Sequence, residues 1–337
     1  MKHLLKLLLE GKALTTEQAR AAMDGVMKGE ATPAQMGAML AALKLRGETV
    51  AELVGFASSL RAHALKAALG VEPLVDTCGT GGDGLGTFNV STAAAFIAAG
   101  AGASVAKHGN RSVSSKCGSA DVLEALGVRP EVDVATAKRC LKEAGLCFLY
   151  APAFHPALKH AGPVRRELGV RTVFNLLGPL ANPAGAKRQV LGVYDPKLVR
   201  PLAEALRLLG AEEAMVVSAL DGLDEISLAA PTKVAHLKGG KVRERMVTAR
   251  ELGLPVYAPA DFAGGDARVN ASIVNDLLMG KPGPARDLAA ANAAAALVVG
   301  GQAPDLKAGV ALANAAIDGD RAWTVLETLR KLTGGRA

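Results

Sequence analysis

The residues best suited to chemistry begin with Asp76-Thr77-Cys78-Gly79-Thr80-Gly81-Gly82-Asp83-Gly84-Leu85-Gly86-Thr87. Five glycines in so short a stretch let the backbone approach a ligand closely and turn its N–H groups onto an anion. Asn89, Val90, Ser91 and Thr92 follow, short and partly hydroxylated, at the expected start of a helix whose N-terminal dipole end adds positive potential. A second stretch, Lys107-His108-Gly109-Asn110-Arg111-Ser112-Val113-Ser114-Ser115-Lys116-Cys117-Gly118-Ser119, holds three cations and several hydroxyls without an acid, a composition suited to phosphate or pyrophosphate. Two adjacent carboxylates, Asp224 and Glu225, follow Asp221; beside phosphate loops such a pair suits Mg²⁺, which takes one or two carboxylates plus substrate phosphates. Pro163-Val164-Arg165-Arg166-Glu167-Leu168-Gly169 offers an Arg on a short helix that could fork onto a carboxylate.

Each motif has a plainer reading: a flexible turn, a basic surface loop, an ordinary acidic surface, a solvated helix face. Their coincidence on one chain favours the ligand-binding reading. The glycine stretch contains G-x-G-x-x-G at Gly79, Gly81 and Gly84, yet no acidic residue lies between Asp83 and Asp121 to hold a dinucleotide ribose, so a dinucleotide site is disfavoured. The G-x-x-x-x-G-K-[ST] phosphate loop is absent.

Positioning these residues requires particular elements. Thr15 to Gln18, Thr32 to Gln35 and Thr49 to Glu52 read as capping boxes, so the first 68 residues are expected to form a small helical domain. Strands are expected around residues 74–76, 104–106, 147–150, 190–193 and 215–217, with helices at 91–99, 121–126, 135–144 and 196–209. That alternation argues for an α/β domain over 69–337 with a central, largely parallel sheet flanked by helices. The rhythm breaks over 152–183, where short helices at 155–160 and 164–168 suggest an excursion back to the helical domain. Gly239-Gly240 signals a hairpin, and three helices are expected near 286–298, 306–318 and 321–331.

The 337 residues are 50% hydrophobic and 21% charged, as in a globular protein with a sizeable core. Aromatics at 3% supply no base-stacking platform, and a net charge of +7 suits anionic partners in general. Cys78, Cys117, Cys140 and Cys147 form no C-x-x-C pair and are expected as reduced thiols in a cytoplasmic protein. The Leu-rich start is interrupted by Lys6 and Glu10 and reads as an amphipathic helix, not a signal peptide; no membrane span is expected.

Taken together, DTCGTGGD (76–83), NVST (89–92), KHGNRSVSS (107–115), PVRRELG (163–169), RTVFNLLGPLANP (171–183) and DGLDE (221–225) make the chain resemble the anthranilate phosphoribosyltransferases over nearly its whole length. The C-terminal helices carry little of the likeness. The resemblance implies a nucleoside phosphorylase/phosphoribosyltransferase-like fold, a homodimer through the helical domain, and a reaction. Anthranilate and phosphoribosyl pyrophosphate would give N-(5′-phosphoribosyl)anthranilate and pyrophosphate, an early step of tryptophan biosynthesis. It implies that Gly79, Gly82, Asp83, Thr87, Asn89, Val90, Ser91, Thr92, Lys107, His108, Gly109, Asn110, Arg111, Ser112, Val113, Ser114, Ser115 and Ser119 hold phosphoribosyl pyrophosphate. Gly79, Asn110 and Arg165 would hold anthranilate, and Ser91, Asp224 and Glu225 would serve Mg²⁺. His108 and Asp83 are candidates for proton removal, although an aniline nitrogen needs positioning more than activation.

Two other readings stay open on the sequence. A pyrimidine nucleoside phosphorylase shares this kind of fold and has its own Gly-rich phosphate loop; the KHGNR stretch and the Asp-Glu pair argue against it. A non-catalytic nucleic-acid-binding relative is permitted by the charge but needs neither the carboxylate pair nor the glycine loop. No nucleic-acid or membrane partner is expected.

Overall fold

The computed structural model describes residues 1–112 and 116–335. Its first part is four helices, α1 (Lys2–Leu9), α2 (Thr16–Met27), α3 (Pro33–Arg46) and α4 (Val50–His63). The three expected capping boxes form. Thr15, Thr32 and Thr49 each accept from the backbone N–H three residues on, and Gln18, Gln35 and Glu52 reach back to the cap. Pro33 opens α3, where its missing N–H would have had no helical partner.

Glu52 is also the lock of this bundle. Its carboxylate is fully buried and accepts from the backbone N–H of Leu14 (2.9 Å) and of Thr49 (2.9 Å) while pairing with Arg46. Arg46 in turn donates to the carbonyl of Lys12 (2.6 Å). One side chain thus fixes the start of α4, the end of α3 and the connection into α2.

The second part is a seven-stranded sheet. In chain order its elements are β1 (Val75–Gly79), α5 (Val90–Gly100), β2 (Val105–Gly109), α6 (Ser119–Ala125), α7 (Val134–Ala144) and β3 (Leu146–Tyr150). Then come α8 (Ala151–Phe154), a 3₁₀ turn over Pro156–His160, α9 (Gly162–Leu168), α10 (Val173–Leu177), β4 (Arg188–Gly192), α11 (Val199–Leu208) and β5 (Glu213–Ala219). The chain closes with β6 (Thr232–Lys238), β7 (Lys241–Val247), α12 (Ala249–Leu252), α13 (Ala267–Leu278), α14 (Pro284–Gly300), α15 (Leu306–Asp318) and α16 (Arg321–Thr333). Strand order is β3-β2-β1-β4-β5-β6-β7, parallel through β5 and antiparallel in the last two pairs.

Strand alternation sorts side chains to two cores. Val190, Met215, Val217 and Val234 face a cluster built with α5, α14 and α16, whereas Leu191, Val193, Ala214, Val216 and Ala235 face one shared with α11 and the helical bundle. The alanines of α14 from Ala289 to Ala296 are fully buried and let this helix lie close against α5 and the sheet. The segment after β3 returns to the bundle: Val164, Val173, Phe174, Leu176 and Leu177 share the apolar cluster of α2–α4. β7 is the sheet's outer strand and turns Lys241, Arg243, Glu244, Arg245 and Met246 outward.

Several elements depart from the sequence expectation. The stretch expected as one helix over 196–209 opens as a 3₁₀ turn over Pro196–Leu198, capped by Asp195. Helices α8 and α10 flank the two short helices expected between 152 and 183. Helix α13 was not expected, although Asp266 caps it and Ala271, Val274, Leu277 and Leu278 mark its buried stripe. No helix among the described residues is long and apolar enough to cross a membrane.

Burial pushes the Glu52 carboxyl up, but Arg46 and the Leu14 and Thr49 N–H groups outweigh it and hold it below the usual carboxylate range. A lowered folded-state pKa stabilises above the unfolded value and is lost as pH falls through the folded one. Glu52→Gln is therefore expected to lose about 3 kcal/mol of stability at neutral pH. That deficit should shrink as pH drops below about 4. Urea unfolding at two pH values checks both; a deficit independent of pH would contradict the ion-pair account.

Candidate active site

Three strand ends converge on one spot. Gly79 and Gly192 are register partners at the carboxyl ends of β1 and β4, and Asp224 arrives from the loop after β5. The connections after β1 and β4 lead to opposite sides of this boundary, so a crevice opens between them, the usual ligand position in an open α/β sheet. A Cβ on Gly79 would stand 2.8 Å from Asp224 Oδ2, and one on Gly192 would overlap the Asp224 carbonyl oxygen. Glycine is what admits the carboxylate here. Asp224 Oδ2 also accepts from the Gly81 N–H (2.9 Å), which ties the glycine loop to the acidic pair.

At the other end of that loop, α5 starts without a side-chain cap. Asn89 is occupied elsewhere: it donates to the Cys117 carbonyl (3.2 Å) and accepts from Asn270 (2.9 Å). Thr92 Oγ1 and Thr80 Oγ1 are buried with no hydrogen-bond partner among the described residues. An uncapped helix N-terminus with an orphaned hydroxyl is a receptacle for an anion's oxygens.

Lys107 lies beneath this helix start, 3% exposed, donating to Ser91 Oγ (3.2 Å) and to the Thr77 carbonyl. Burial lowers its pKa; Asp76, Glu225 and Asp224 oppose the shift. The His108 N–H donates to Asp76 Oδ1 (3.0 Å). The His108 ring is buried, 5.1 Å from the His155 ring, and its Nε2 has no partner among the described residues. Burial, reinforced by His155, pulls its pKa down to about 3, so the ring is neutral at physiological pH.

The basic stretch is less free than its sequence suggests. Arg111 pairs with Asp121 (3.0 Å) and Glu124 (2.7 Å) of α6, just beyond the acid-free segment. Asp121 also accepts from the N–H groups of Ser112 (3.0 Å) and Gly118 (2.8 Å), so it shapes the loop's base. Ser119 Oγ donates to the Asn110 carbonyl (3.2 Å). Val113, Ser114 and Ser115 lie outside the described residues.

The acidic pair is desolvated. Burial, aggravated by Asp83, raises the Asp224 pKa to about 7, partly offset by the Gly81 N–H and by Arg171. Burial and then Asp224 push Glu225 well above the carboxylate range. Asn292 of α14 fixes the chain just after them: its amide accepts from the Ile226 N–H (2.8 Å) and donates to the Ile226 carbonyl (3.0 Å). Asp221 instead turns to Ser227 (2.6 Å) and the Leu223 N–H, a structural use.

Gly79, Gly82, Asp83, Thr87, Asn89, Val90, Ser91, Thr92, Lys107, His108, Gly109, Asn110, Arg111, Ser112, Ser119, Arg165, Asp224 and Glu225 all line one cleft of about 360 Å³. Arg165 reaches it from α9, half-buried, its guanidinium 5.2 Å from the Phe174 ring and with no hydrogen bond or ion pair to any described residue. Sequence reasoning gave no role to His155, Phe174 or Pro179, which complete that wall, nor to Asn292, which supports the acidic pair.

Residues 71–323 match the glycosyl transferase family a/b domain and residues 2–64 its helical bundle domain. Anthranilate phosphoribosyltransferase from Symbiobacterium thermophilum is 51% identical over 334 residues, 99% of this chain and 98% of the relative. This chain belongs to the anthranilate phosphoribosyltransferase family.

The crystal structure of anthranilate phosphoribosyltransferase from Thermus thermophilus superposes with a TM-score of 0.93 at 42% identity, covering 98% of this chain and 99% of that one. The Saccharomyces cerevisiae anthranilate phosphoribosyltransferase in complex with phosphoribosyl pyrophosphate and Mg superposes with a TM-score of 0.90 at 27% identity, covering 98% and 96%. The donor set here suits such an ion. Asp224, Glu225 and the Ser91 hydroxyl are hard oxygen ligands, and a cation would favour the charged carboxylates that burial, and then their acidic neighbours, disfavour. No group of three or more His, Cys, Asp or Glu side chains able to hold a metal converges among the described residues, so other ligands would be substrate oxygens or water.

The contact of Gly192 with Asp224 is a test of how this family member sets its acidic pair. Gly192→Ala is expected to lower stability by about 2 kcal/mol through the backbone overlap. It should also depress turnover while the protein is still folded. Denaturant unfolding alongside a steady-state assay checks this; full turnover would mean that the contact does not position Asp224.

Proposed function

We infer that this chain transfers the phosphoribosyl group of phosphoribosyl pyrophosphate to the amine of anthranilate, releasing pyrophosphate. The observation that carries the reading is the pairing, in one cleft, of an anion receptacle with an uncompensated guanidinium. The glycine loop, the uncapped start of α5 and Lys107 supply the first. Arg165, with no anionic partner among the described residues, supplies the second. One fits a pyrophosphate, the other an aromatic carboxylate stacked among His155, Phe174 and Pro179.

In this reading Asp224, Glu225 and Ser91 hold Mg²⁺, which would neutralise charge developing on the leaving pyrophosphate. The loop N–H groups and Lys107 add fixed positive potential there, favouring oxocarbenium character at the ribose C1′. Arg165 holds the carboxylate and so aims the amine, with Asn110 and Gly79 closing the other side. His108, neutral and weakly basic, is the poorer of the two candidates for taking the amine's proton, which leaves Asp83 beside the acidic pair. The phosphorylase reading provides no use for a free guanidinium on the acceptor side, and the nucleic-acid reading none for the desolvated carboxylates.

We also propose a hinge between the helical domain (1–68, with 152–183) and the 69–337 domain, and a cytoplasmic homodimer through the helices. Leu9 and Leu45, 69% and 89% exposed, support the dimer. Sedimentation should give twice the chain mass, and Leu45→Glu should reduce it to one; a monomeric wild type would refute the arrangement.

Mixing the protein with anthranilate, phosphoribosyl pyrophosphate and Mg²⁺ is expected to remove anthranilate fluorescence, and EDTA to stop the loss. Absence of loss with folded protein would overturn the assignment. Arg165→Ala should raise the KM for anthranilate about a hundredfold, as for a lost charge-assisted fork. The KM for phosphoribosyl pyrophosphate should stay near wild type; an equal rise in both would remove Arg165 from the carboxylate.

A further inference from the structure

Arg171 has entered so far only as a charge that steadies the Asp224 carboxylate, with no part in holding a substrate. It stands between Gly169, which ends α9 in a left-handed cap, and Thr172, which begins α10. Both helices pack on the helical bundle. From there the side chain crosses to the other wall of the crevice. A Cβ on Gly82 would lie 2.7 Å from Arg171 Nε and 2.8 Å from both Cζ and Nη2. Three nearly equal distances put the flat face of the guanidinium over the space that a side chain at Gly82 would fill. The Arg171 Cζ also lies over the Tyr194 ring, 4.4 Å from its centre, and Tyr194 follows β4.

This is an unusual way to use an arginine. The guanidinium makes no hydrogen bond or ion pair to any described residue; its contacts are a ring and a glycine. A planar cation on an aromatic face is held in orientation by the ring quadrupole. Held there, it faces Gly82, whose φ of +78° is a left-handed conformation that glycine adopts without strain and whose missing side chain leaves room for the guanidinium. The loop's inner side is tied at Gly81 to Asp224. The glycine loop is thus fixed at two adjacent residues, from the sheet by Asp224 and from the helical side by Arg171.

We propose that Arg171 is a positioning residue for the glycine loop: stacked on Tyr194 and facing Gly82, it sets the loop for the pyrophosphate of the phosphoribosyl donor. The proposal rests on the reading that this loop holds that pyrophosphate. The flat face is what matters, so an ammonium cannot replace it, and the ring of Tyr194 matters but not its hydroxyl.

Calorimetric titration with inorganic pyrophosphate in the presence of Mg²⁺ tests it, together with separate KM values for the two substrates. Arg171→Ala is expected to weaken pyrophosphate binding and raise the KM for phosphoribosyl pyrophosphate about fivefold, the scale of one lost stacking contact. The anthranilate KM and the melting temperature should stay at wild-type values. Arg171→Lys should behave like Arg171→Ala, Tyr194→Ala should mimic both, and Tyr194→Phe should retain wild-type affinity. Arg171→Ala and Tyr194→Ala combined should lose no more than either alone. Unchanged pyrophosphate affinity in Arg171→Ala, rescue by lysine, or equal loss for both substrates with a lower melting temperature would each overturn the proposal. A wild-type protein that fails to bind pyrophosphate would overturn the reading of the loop itself, which separates the two failures.

Discussion

A single buried ammonium holds this molecule's chemistry together. Lys107 sits under the start of α5 with Asp76 on one side and the Asp224–Glu225 pair on the other. Taken alone, either sign would be too poorly solvated to persist there. Together they form a cluster whose charges compensate only in part, because both carboxyls of the acidic pair remain pushed up. A divalent ion is suited to stabilise these buried carboxylates in their charged form, and a polyanionic substrate would then meet the ion. The sheet exists, in functional terms, to bring β1, β2 and the end of β5 within reach of this one cation.

Around that cluster the fold divides labour by layer. α5 delivers the uncapped N-terminus, and the alanine-rich α14 lies close enough to it for Asn292 to grip the backbone at Ile226. On the opposite face, α11 and the helical bundle share a core with the excursion that carries Arg165. The two substrate walls therefore rest on different hydrophobic cores.

What could be read from the sequence was what is local. The capping boxes were legible because donor and acceptor lie three residues apart, and the glycine loop because its composition has few other uses. The acidic pair gained meaning from the loops near it. What escaped were long-range choices. Nothing in the sequence near Asn292 announces that its amide closes on Ile226, 66 residues earlier. The segment from Lys107 to Ser119 read as acid-free, yet its guanidinium at Arg111 is taken up by Asp121 and Glu124 just past the boundary. His155 stood at the start of an expected short helix and Phe174 in the stretch 171–183, and neither drew a role of its own until the excursion folded back over the cleft. Helix α13 was legible and overlooked: Asp266 and the spacing of Ala271, Val274 and Leu277 carry the ordinary signals.

The outer strand of the sheet has its own bearing on how the protein lives in solution. β7 leaves one row of backbone donors and acceptors without a neighbouring strand, an invitation to pair with any extended chain. Its outward residues are mostly charged and of both signs, and Arg245 and Glu244 are engaged with Glu251, Arg200 and Lys233 nearby. A second strand docking there would have to desolvate or displace these ion pairs. The edge therefore resists growth into larger sheets.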